Sequence, residues 1–147
     1  MRALVMILCL LLASCAAVNP RASFVAGQLT ASDADVLASA SAEHFRGIFP
    51  AAKSSIALET PVTGQEGNAF ALALDAELRR YGYAVSVNSP TAPAPADAIR
   101  VRYVVSPLDS GLVLQLQYGG TEAARYFARD SGGALVPASP YTVKEVK

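Results

Sequence analysis

The sequence contains few of the residues from which metal sites and disulfide frameworks are built. It has one His and two Cys among its 147 residues, and it has no Trp. A single His excludes every metal site that needs two His ligands, including the HExxH motif and the facial triad. Two Cys cannot form a four-thiolate zinc site or a disulfide framework. These classes of protein are therefore excluded.

The chain also lacks an excess of charge of either sign. Its 12 Lys and Arg residues balance its 12 Asp and Glu residues, and it has no basic run. This balance argues against a protein that binds nucleic acid through phosphate contacts, so we expect no direct nucleic-acid partner. The length of 147 residues suits one domain with one modest core.

One long apolar run is present, and it lies at the amino terminus. Met1 and Arg2 give a short positive start, and residues 3–12 are all apolar. The stretch before Asn19 and Pro20 ends at residue 18, which makes it shorter than the about 20 residues of a spanning helix. The run could span a bilayer only with thinning or distortion, so its length favours a signal peptide over a transmembrane anchor.

A four-residue motif follows the apolar run: Leu12, Ala13, Ser14 and Cys15. A branched apolar residue, two small residues and a cysteine resemble the lipobox of bacterial lipoproteins. The resemblance implies cleavage before Cys15, a thioether diacylglycerol on its thiol, and an acyl chain such as palmitate on the new amino group. The alternative is that Cys15 merely follows an ordinary cleavage site.

Cys9 provides a comparison within the same run. It follows Ile7 and Leu8, which are too bulky for this processing, so we interpret Cys9 as an ordinary apolar residue of the signal peptide. Each buried methylene contributes about 0.8 kcal/mol, so the two or three chains on Cys15 would anchor the protein stably. Ala16 stands where an Asp would, by the same resemblance, indicate retention in the inner membrane. The predicted location is therefore the outer membrane, with the protein facing the periplasm.

The chain divides into three predicted regions. Residues 1–14 form the lipoprotein signal peptide. Residues 15–31 form the lipidated amino terminus and a flexible tether, because they are mostly small or polar and contain Pro20 and Gly27. Residues 32–147 form a single periplasmic domain.

The first predicted helix spans residues 32–49. Ser32 can cap its amino terminus, and Pro50 ends it because a residue before proline avoids the helical conformation. Its apolar residues recur at helical spacing; they are Val36, Leu37, Ala40, Phe45 and Ile48.

The second predicted helix begins after Asn68, which can cap it. Gly82 is placed to adopt the left-handed conformation beyond its end, and Tyr83 is placed to contact Leu78, as in a Schellman motif. Its apolar stripe consists of Phe70, Leu74, Leu78 and Tyr81.

Alternating apolar residues predict the strands; these lie at residues 54–59, 84–88, 99–105, 112–118 and 123–129, with a short one near 135–136. Three prolines between residues 89 and 97 predict an exposed polyproline-like loop, which is more typical of a connector than of a ligand for a partner. The predicted fold is α+β, with two helices packed on one face of a small, mainly antiparallel sheet.

His44 is the strongest candidate for a catalytic residue. As a general base it would need a nucleophile and an orienting carboxylate, and the adjacent Glu43 points about 100° away around a helix. Motifs of the GxSxG, GxGxxG, P-loop and CxxC types are absent from the sequence. We therefore predict that His44 is a surface or boundary side chain.

Arginines and sheet edges offer two further surfaces. Arg100 and Arg102 alternate on the outward face of one strand, and Arg125 and Arg129 do so on another. If those strands pair, a small basic face could meet an acidic partner or lipid head groups, although a solvated face is the simpler interpretation. A small open sheet also has edges that can accept a strand from a partner, and the sequence does not identify the free edge.

Six short stretches follow one another along the chain; they are the Cys15 motif, residues 49–58 (FPAAKSSIAL), 68–74 (NAFALAL), 78–85 (LRRYGYAV), 125–126 (RY) and 133–138 (GALVPA). Together they resemble the TrbH family of conjugal-transfer lipoproteins. The resemblance implies a non-enzymatic envelope component of a type IV secretion, or mating-pair formation, apparatus. It also implies other subunits of that apparatus as partners, a lipid anchor in the membrane, and no cofactor or catalytic residue.

Two other functions remain open on the sequence. An outer-membrane assembly lipoprotein unrelated to conjugation could have the same anchor, and helices on a small sheet suit it equally. An envelope hydrolase would require catalytic geometry that no motif indicates.

Overall fold

The computed structural model describes residues 22–65 and 67–146. In these residues two α-helices, α1 (Ala31–Arg46) and α2 (Ala69–Arg80), accompany eight strands. The strands are β1 (Phe24–Val25), β2 (Ser55–Glu59), β3 (Ala84–Asn88), β4 (Ile99–Leu108), β5 (Gly111–Tyr118), β6 (Thr121–Arg129), β7 (Leu135–Pro137) and β8 (Thr142–Glu145). A 3₁₀ turn at Ala51–Lys53 precedes β2.

Helix α1 is displaced from its predicted bounds at both ends. Thr30, not Ser32, is the cap, because the Thr30 hydroxyl accepts a hydrogen bond from the Asp33 amide at 3.1 Å. The helix ends three residues earlier than predicted, and Phe49 closes a turn outside it. Ile48 is therefore 45% exposed and does not continue the buried stripe.

Helix α2 begins and ends as its sequence predicts. The Asn68 side chain accepts a hydrogen bond from the Ala71 amide at 2.9 Å. At the other end, Gly82 has a φ of +89°, and the Tyr83 amide donates to the Leu78 carbonyl at 3.1 Å. These features form the predicted Schellman motif.

The sheet is mixed rather than mainly antiparallel. Its strand order is β3-β2-β4-β5-β6-β7, with β1 beside β4 and β8 beside β6. Strand β2 is parallel to both β3 and β4, and β1 is parallel to β4, whereas the pairings from β4 to β8 are antiparallel. Helix α2 connects β2 to β3 as a crossover, which makes that pair parallel. The proline-rich loop then carries the chain past β2, so β4 is parallel to β2 as well.

The chain joins the sheet earlier than the predicted tether allows. Strand β1 pairs with residues 104 and 105 of β4, and the buried Ser23 hydroxyl donates to the Glu59 carbonyl at 3.0 Å. The Val25 amide donates to Gln65 Oε1 at 2.9 Å. Residues 22–25 are thus part of the fold, and the prediction of a tether through Ala31 is wrong for them. Residues 15–21 of the predicted tether lie outside the described part of the chain.

One face of the sheet, which we call the inner face, carries the core. The predicted alternation in β4 and β5 is confirmed, because Val101, Tyr103 and Val105, like Leu112, Leu114, Leu116 and Tyr118, are buried. Side chains of both helices contact this face: the Phe70 ring lies 4.8 Å from that of Tyr103, and the Phe45 ring lies 5.3 Å from that of Tyr118. Each large side chain buried in this way contributes about 1.5–3 kcal/mol. We call the opposite side of the sheet the outer face.

Candidate functional site

The residues of the predicted lipidation motif lie outside the described part of the structure. Leu12, Ala13, Ser14 and Cys15 belong to residues 1–21, which the structure does not describe. Processing before Cys15 and its acylation therefore stay predictions from the sequence.

His44 joins α1 to the inner face of the sheet. Its Nε2 atom lies 2.8 Å from the Tyr118 hydroxyl, and its ring lies 4.3 Å from the Tyr141 ring. Burial, and secondarily the positive charge of Arg125, lowers the pKa of His44 below 6.5. The imidazole is therefore neutral at pH 7. These contacts place His44 at the boundary of the core, as predicted.

An aromatic cluster around His44 holds the carboxyl-terminal segment against the domain. The Arg125 guanidinium lies 5.3 Å from the centre of the Tyr141 ring, and its Nε donates to the Ser139 carbonyl at 2.6 Å. Burial raises the pKa of Tyr141 to about 12. The cluster thus contains a neutral tyrosine, and its contacts hold the segment around Tyr141 against α1 and β6.

The four arginines do not form one basic face. Strand β5 lies between β4 and β6, so the strands that carry them do not pair. Arg125 and Arg129 share the inner face with Phe127, whereas Arg102 pairs across to Gln117 on the outer face. The condition for a shared basic face, that the two strands pair, is therefore not met. The expectation that Arg125 and Arg129 face outward is wrong, because alternation alone cannot show which side of a strand faces the core.

A row of polar side chains crosses the outer face instead. Backbone register aligns Arg102 of β4 with Gln117, Glu122 and Lys144 of β5, β6 and β8. Continuing the register of β2 with β4 places Glu59 beside Arg102. We call these five residues the polar row, and its charges alternate in the order negative, positive, neutral, negative, positive.

Hydrogen bonds fix several members of the polar row. Glu122 accepts from Gln117 Nε2 at 3.0 Å and from Lys144 Nζ at 2.8 Å. The bond from Lys144 is the main reason that the pKa of Glu122 lies below its usual value. At the other end of the row, Asn88 Nδ2 donates to Glu59 Oε2 at 2.9 Å.

A shallow cavity of about 280 Å³ opens over one part of the polar row. Glu59, Arg100, Arg102 and Gln117 line it, together with the turn between β5 and β6. Both signs of charge face this space. The cavity is therefore suited to a partner that carries charges of both signs.

Beyond the polar row the outer face is mostly apolar, with Ser106 and Gln115 as polar exceptions. We call its apolar residues the apolar half; they are Phe24, Val104, Leu108, Val113, Ala124, Tyr126, Ala128 and Val136. Phe24, Leu108 and Val136 are 40%, 49% and 39% exposed. Three large apolar side chains thus remain accessible on this face of the sheet.

Among the described residues, β3 forms one edge of the sheet and pairs with β2 alone. The Thr60 amide donates to the Asn88 carbonyl, so the backbone of Asn88 faces β2 and that of Val85 and Val87 faces away. Arg79 Nη2 donates a hydrogen bond to the Val85 carbonyl at 2.8 Å. The strand has no charged residue and no proline, which are the usual protections of an edge.

Sequence reasoning did not find the polar row or the apolar half. Their members come from strands that are far apart in sequence, and only the strand order brings them together. The alternation of Arg102 and of Gln117 within their own strands was the sole local indication of an outer polar face.

Comparison with protein families gives a match over most of the chain. A family model described as conjugal transfer protein TrbH matches residues 18–146, which include all of the described residues. No curated protein and no solved structure matches the chain. In the described ranges, neither helix has the length and apolar character required to cross a membrane.

Proposed function

The chain belongs to the TrbH family of conjugal transfer proteins, and we propose that it is a lipid-anchored envelope subunit of the mating-pair formation apparatus, a type IV secretion system. In this role it binds other subunits of the apparatus and takes part in DNA transfer between bacteria without contacting the DNA. The family match over residues 18–146 is the observation that carries this proposal.

The proposed anchor is Cys15 in the outer membrane, with the domain facing the periplasm. The motif from Leu12 to Cys15 supports it, as does the apolar run before it. From Cys15 to Ala22, where the described fold begins, the chain can reach at most about 25 Å. An anchored domain would therefore work close to the membrane surface, and its partners would have to be reached there.

The proposed mode of action is protein–protein interaction. We propose that both helices cover the inner face, which is supported by their contacts to Tyr103 and Tyr118. That arrangement leaves the outer face and the β3 edge for partners. An edge strand offers unpaired backbone groups, and secretion subunits can bind one another by adding a strand there.

The proposed role is not enzymatic. His44 contacts the Tyr118 hydroxyl and the Tyr141 ring, and these contacts support a structural function for it. The role that we propose for the domain requires no catalytic residue.

Two experiments test the proposal. A donor strain in which this gene is deleted should lose conjugal transfer, and wild-type complementation should restore it. Unchanged transfer would contradict a required role and favour the outer-membrane assembly lipoprotein instead. In the second experiment, cells are labelled with palmitate and their membranes are fractionated. Wild type and Cys9→Ser should carry label in the outer membrane, whereas Cys15→Ser should not; label on Cys15→Ser would contradict the anchor.

A further inference from the structure

We infer that the outer face binds a second copy of this chain, sheet against sheet, about a two-fold axis that runs parallel to β5. This inference concerns the folded domain and does not depend on the lipid anchor. It follows from the exposure of the apolar half, the charge order of the polar row and the sizes of the side chains around the axis.

The apolar half has the composition of a surface that is covered in the assembled state. Phe24, Leu108 and Val136 are 40%, 49% and 39% exposed, whereas Val25 and Leu135, which adjoin Phe24 and Val136 on the inner face, are each 4% exposed. Two sheets can pack face to face through such surfaces, with strand directions within about 30° of each other. A second sheet would remove these side chains from water.

The charge order of the polar row identifies the second sheet as another copy. A two-fold axis parallel to β5, between the two sheets, places β4 of one copy opposite β6 of the other, and β2 opposite β8. Residues that are level with each other across one sheet remain level across the two sheets. Arg102 then faces Glu122 of the second copy, and Glu59 faces its Lys144. Gln117, on the axis, faces Gln117. Every charge in the row meets its opposite, and no like charges meet.

The side chains near the axis also match in size. The same operation places Tyr126 over Ser106 of the second copy, because both lie level with Val113. It places Leu108 over Ala128 and Val104 over Ala124. Large residues thus meet small ones on the strands next to the axis, which is the pattern by which two sheet faces interdigitate. Val113 and Gln115 each meet their own copy on the axis.

A lipid surface fits the outer face less well. Head groups that attract Arg100 and Arg102 would also meet Glu59 and Glu122, which face the same side of the sheet. Binding to an anionic membrane is strengthened by basic residues, and the mixed row dilutes that attraction. A second copy satisfies both signs.

Charge reversal in two differently tagged full-length chains tests the pairing. Arg102→Glu places two acidic residues opposite each other in a homodimer, and Glu122→Arg places two basic ones. Each variant alone should therefore lose self-association. In the mixed pair, residue 102 of each chain meets an opposite charge at residue 122 of the other. We expect co-expression to restore a heterodimer, measured by sequential purification on the two tags in detergent and by the mass of the complex.

The mixed pair distinguishes contact between copies from contact within a chain. Each variant has the same altered contacts within its own chain whether it is alone or in the mixed pair, so only a contact between copies can restore association. Retained homodimers in the single variants would overturn the inference, and so would a mixed pair that stays monomeric while both chains melt cooperatively. If either variant fails to fold, a cross-linking experiment provides an independent decision.

Cross-linking probes the axis without reversing a charge. In a parent chain in which Cys9 and Cys15 are replaced by Ser, Gln117→Cys places two thiols opposite each other, and Ser39→Cys places an exposed thiol on α1 as the matched control. A short bismaleimide should link the Gln117→Cys chain into a dimer, but not the Ser39→Cys chain or the parent chain. Equal linking of both variants would contradict the axis. A different pair of results would also contradict the axis and would indicate a lipid surface. In that case the wild-type chain is monomeric in detergent, and only phosphatidylglycerol vesicles protect Gln117→Cys from reaction with maleimide.

Discussion

The Arg129 guanidinium donates two hydrogen bonds to the Asp33 carboxylate, at 3.0 and 2.8 Å, and thereby joins the first turn of α1 to the end of β6. Arg129 also donates to the Gly133 carbonyl at 2.8 Å, which ties the following turn to the same point. The Asp33 side chain is only 6% exposed, so its charge depends on this partner. The amino-terminal position in α1 further favours a carboxylate.

Replacing Asp33 with Asn should lower the free energy of unfolding by about 1–3 kcal/mol, because the hydrogen bonds to a charged partner are lost. Asp35→Asn is the matched control, since Asp35 lies exposed in the same helix. Chemical denaturation of both variants at pH 7 measures the difference. An equal loss in the two variants would mean that the pair with Arg129 is energetically unimportant.

The same pair predicts the response to acid. The hydrogen bond from Arg129 is the main cause that holds the pKa of Asp33 below 3.8 in the folded state. Its stabilisation is therefore complete above about pH 4–5 and is lost as the pH falls through the folded-state pKa. Denaturation at a series of pH values should show a shallower acid loss in Asp33→Asn than in wild type.

His44 should make stability depend on pH in a higher range. Because burial lowers its pKa below the unfolded value of 6.5, the unfolded chain binds more protons as the pH falls below about 7. The free energy of unfolding should decrease from pH 7.5 downward and level off below the folded-state pKa. The chain has one His, so His44→Gln should abolish this part of the pH dependence. An unchanged slope in that variant would exclude His44 as its cause.

Helix α2 provides a matched pair of apolar residues. Phe70 is fully buried against Tyr103, whereas Leu72 on the same helix is 63% exposed. Phe70→Ala should destabilise the fold by about 3–5 kcal/mol because it leaves a cavity, and Leu72→Ala should change stability by at most about 0.5 kcal/mol. Thermal unfolding of both variants tests this. A large effect of Leu72→Ala would show that its exposed side chain has a contact in the protein.

The Schellman motif makes a prediction for Gly82. Its φ of +89° is unfavourable for a residue with a Cβ atom, so Gly82→Ala should cost about 1–2 kcal/mol. Gly47 ends α1 with an ordinary φ of −71°, so Gly47→Ala should be neutral or slightly stabilising. Equal effects of the two substitutions on the melting temperature would contradict the motif.

Local patterns predict the elements that depend on neighbouring residues. The helical stripe of α2, its cap at Asn68 and its end at Gly82 are all evident in the sequence, because these interactions span at most one or two turns. Alternation likewise predicts the buried face of β4 and β5. The predicted cap of α1, Ser32, is wrong because the side chains of Thr30 and Ser32 can both cap a helix, and the sequence does not show which one does.

Features that depend on distant residues could not be predicted in this way. Two parallel pairings of β2 require the crossovers through α2 and the proline-rich loop, and no local residue specifies them. Strand β1 has two residues, too few to show alternation. The pairing of Asp33 with Arg129 and the alignment of the polar row likewise follow from strand order.

The frequency of conjugal transfer from complemented deletion donors tests the central claim, a lipid-anchored subunit of the transfer apparatus, most directly. The donor should be complemented with wild type, Cys15→Ser or Cys9→Ser, the last as the control for losing a thiol nearby. We predict that wild type and Cys9→Ser restore transfer and that Cys15→Ser does not, with all three proteins present in equal amounts. Full transfer with Cys15→Ser, or from the uncomplemented donor, would contradict the claim.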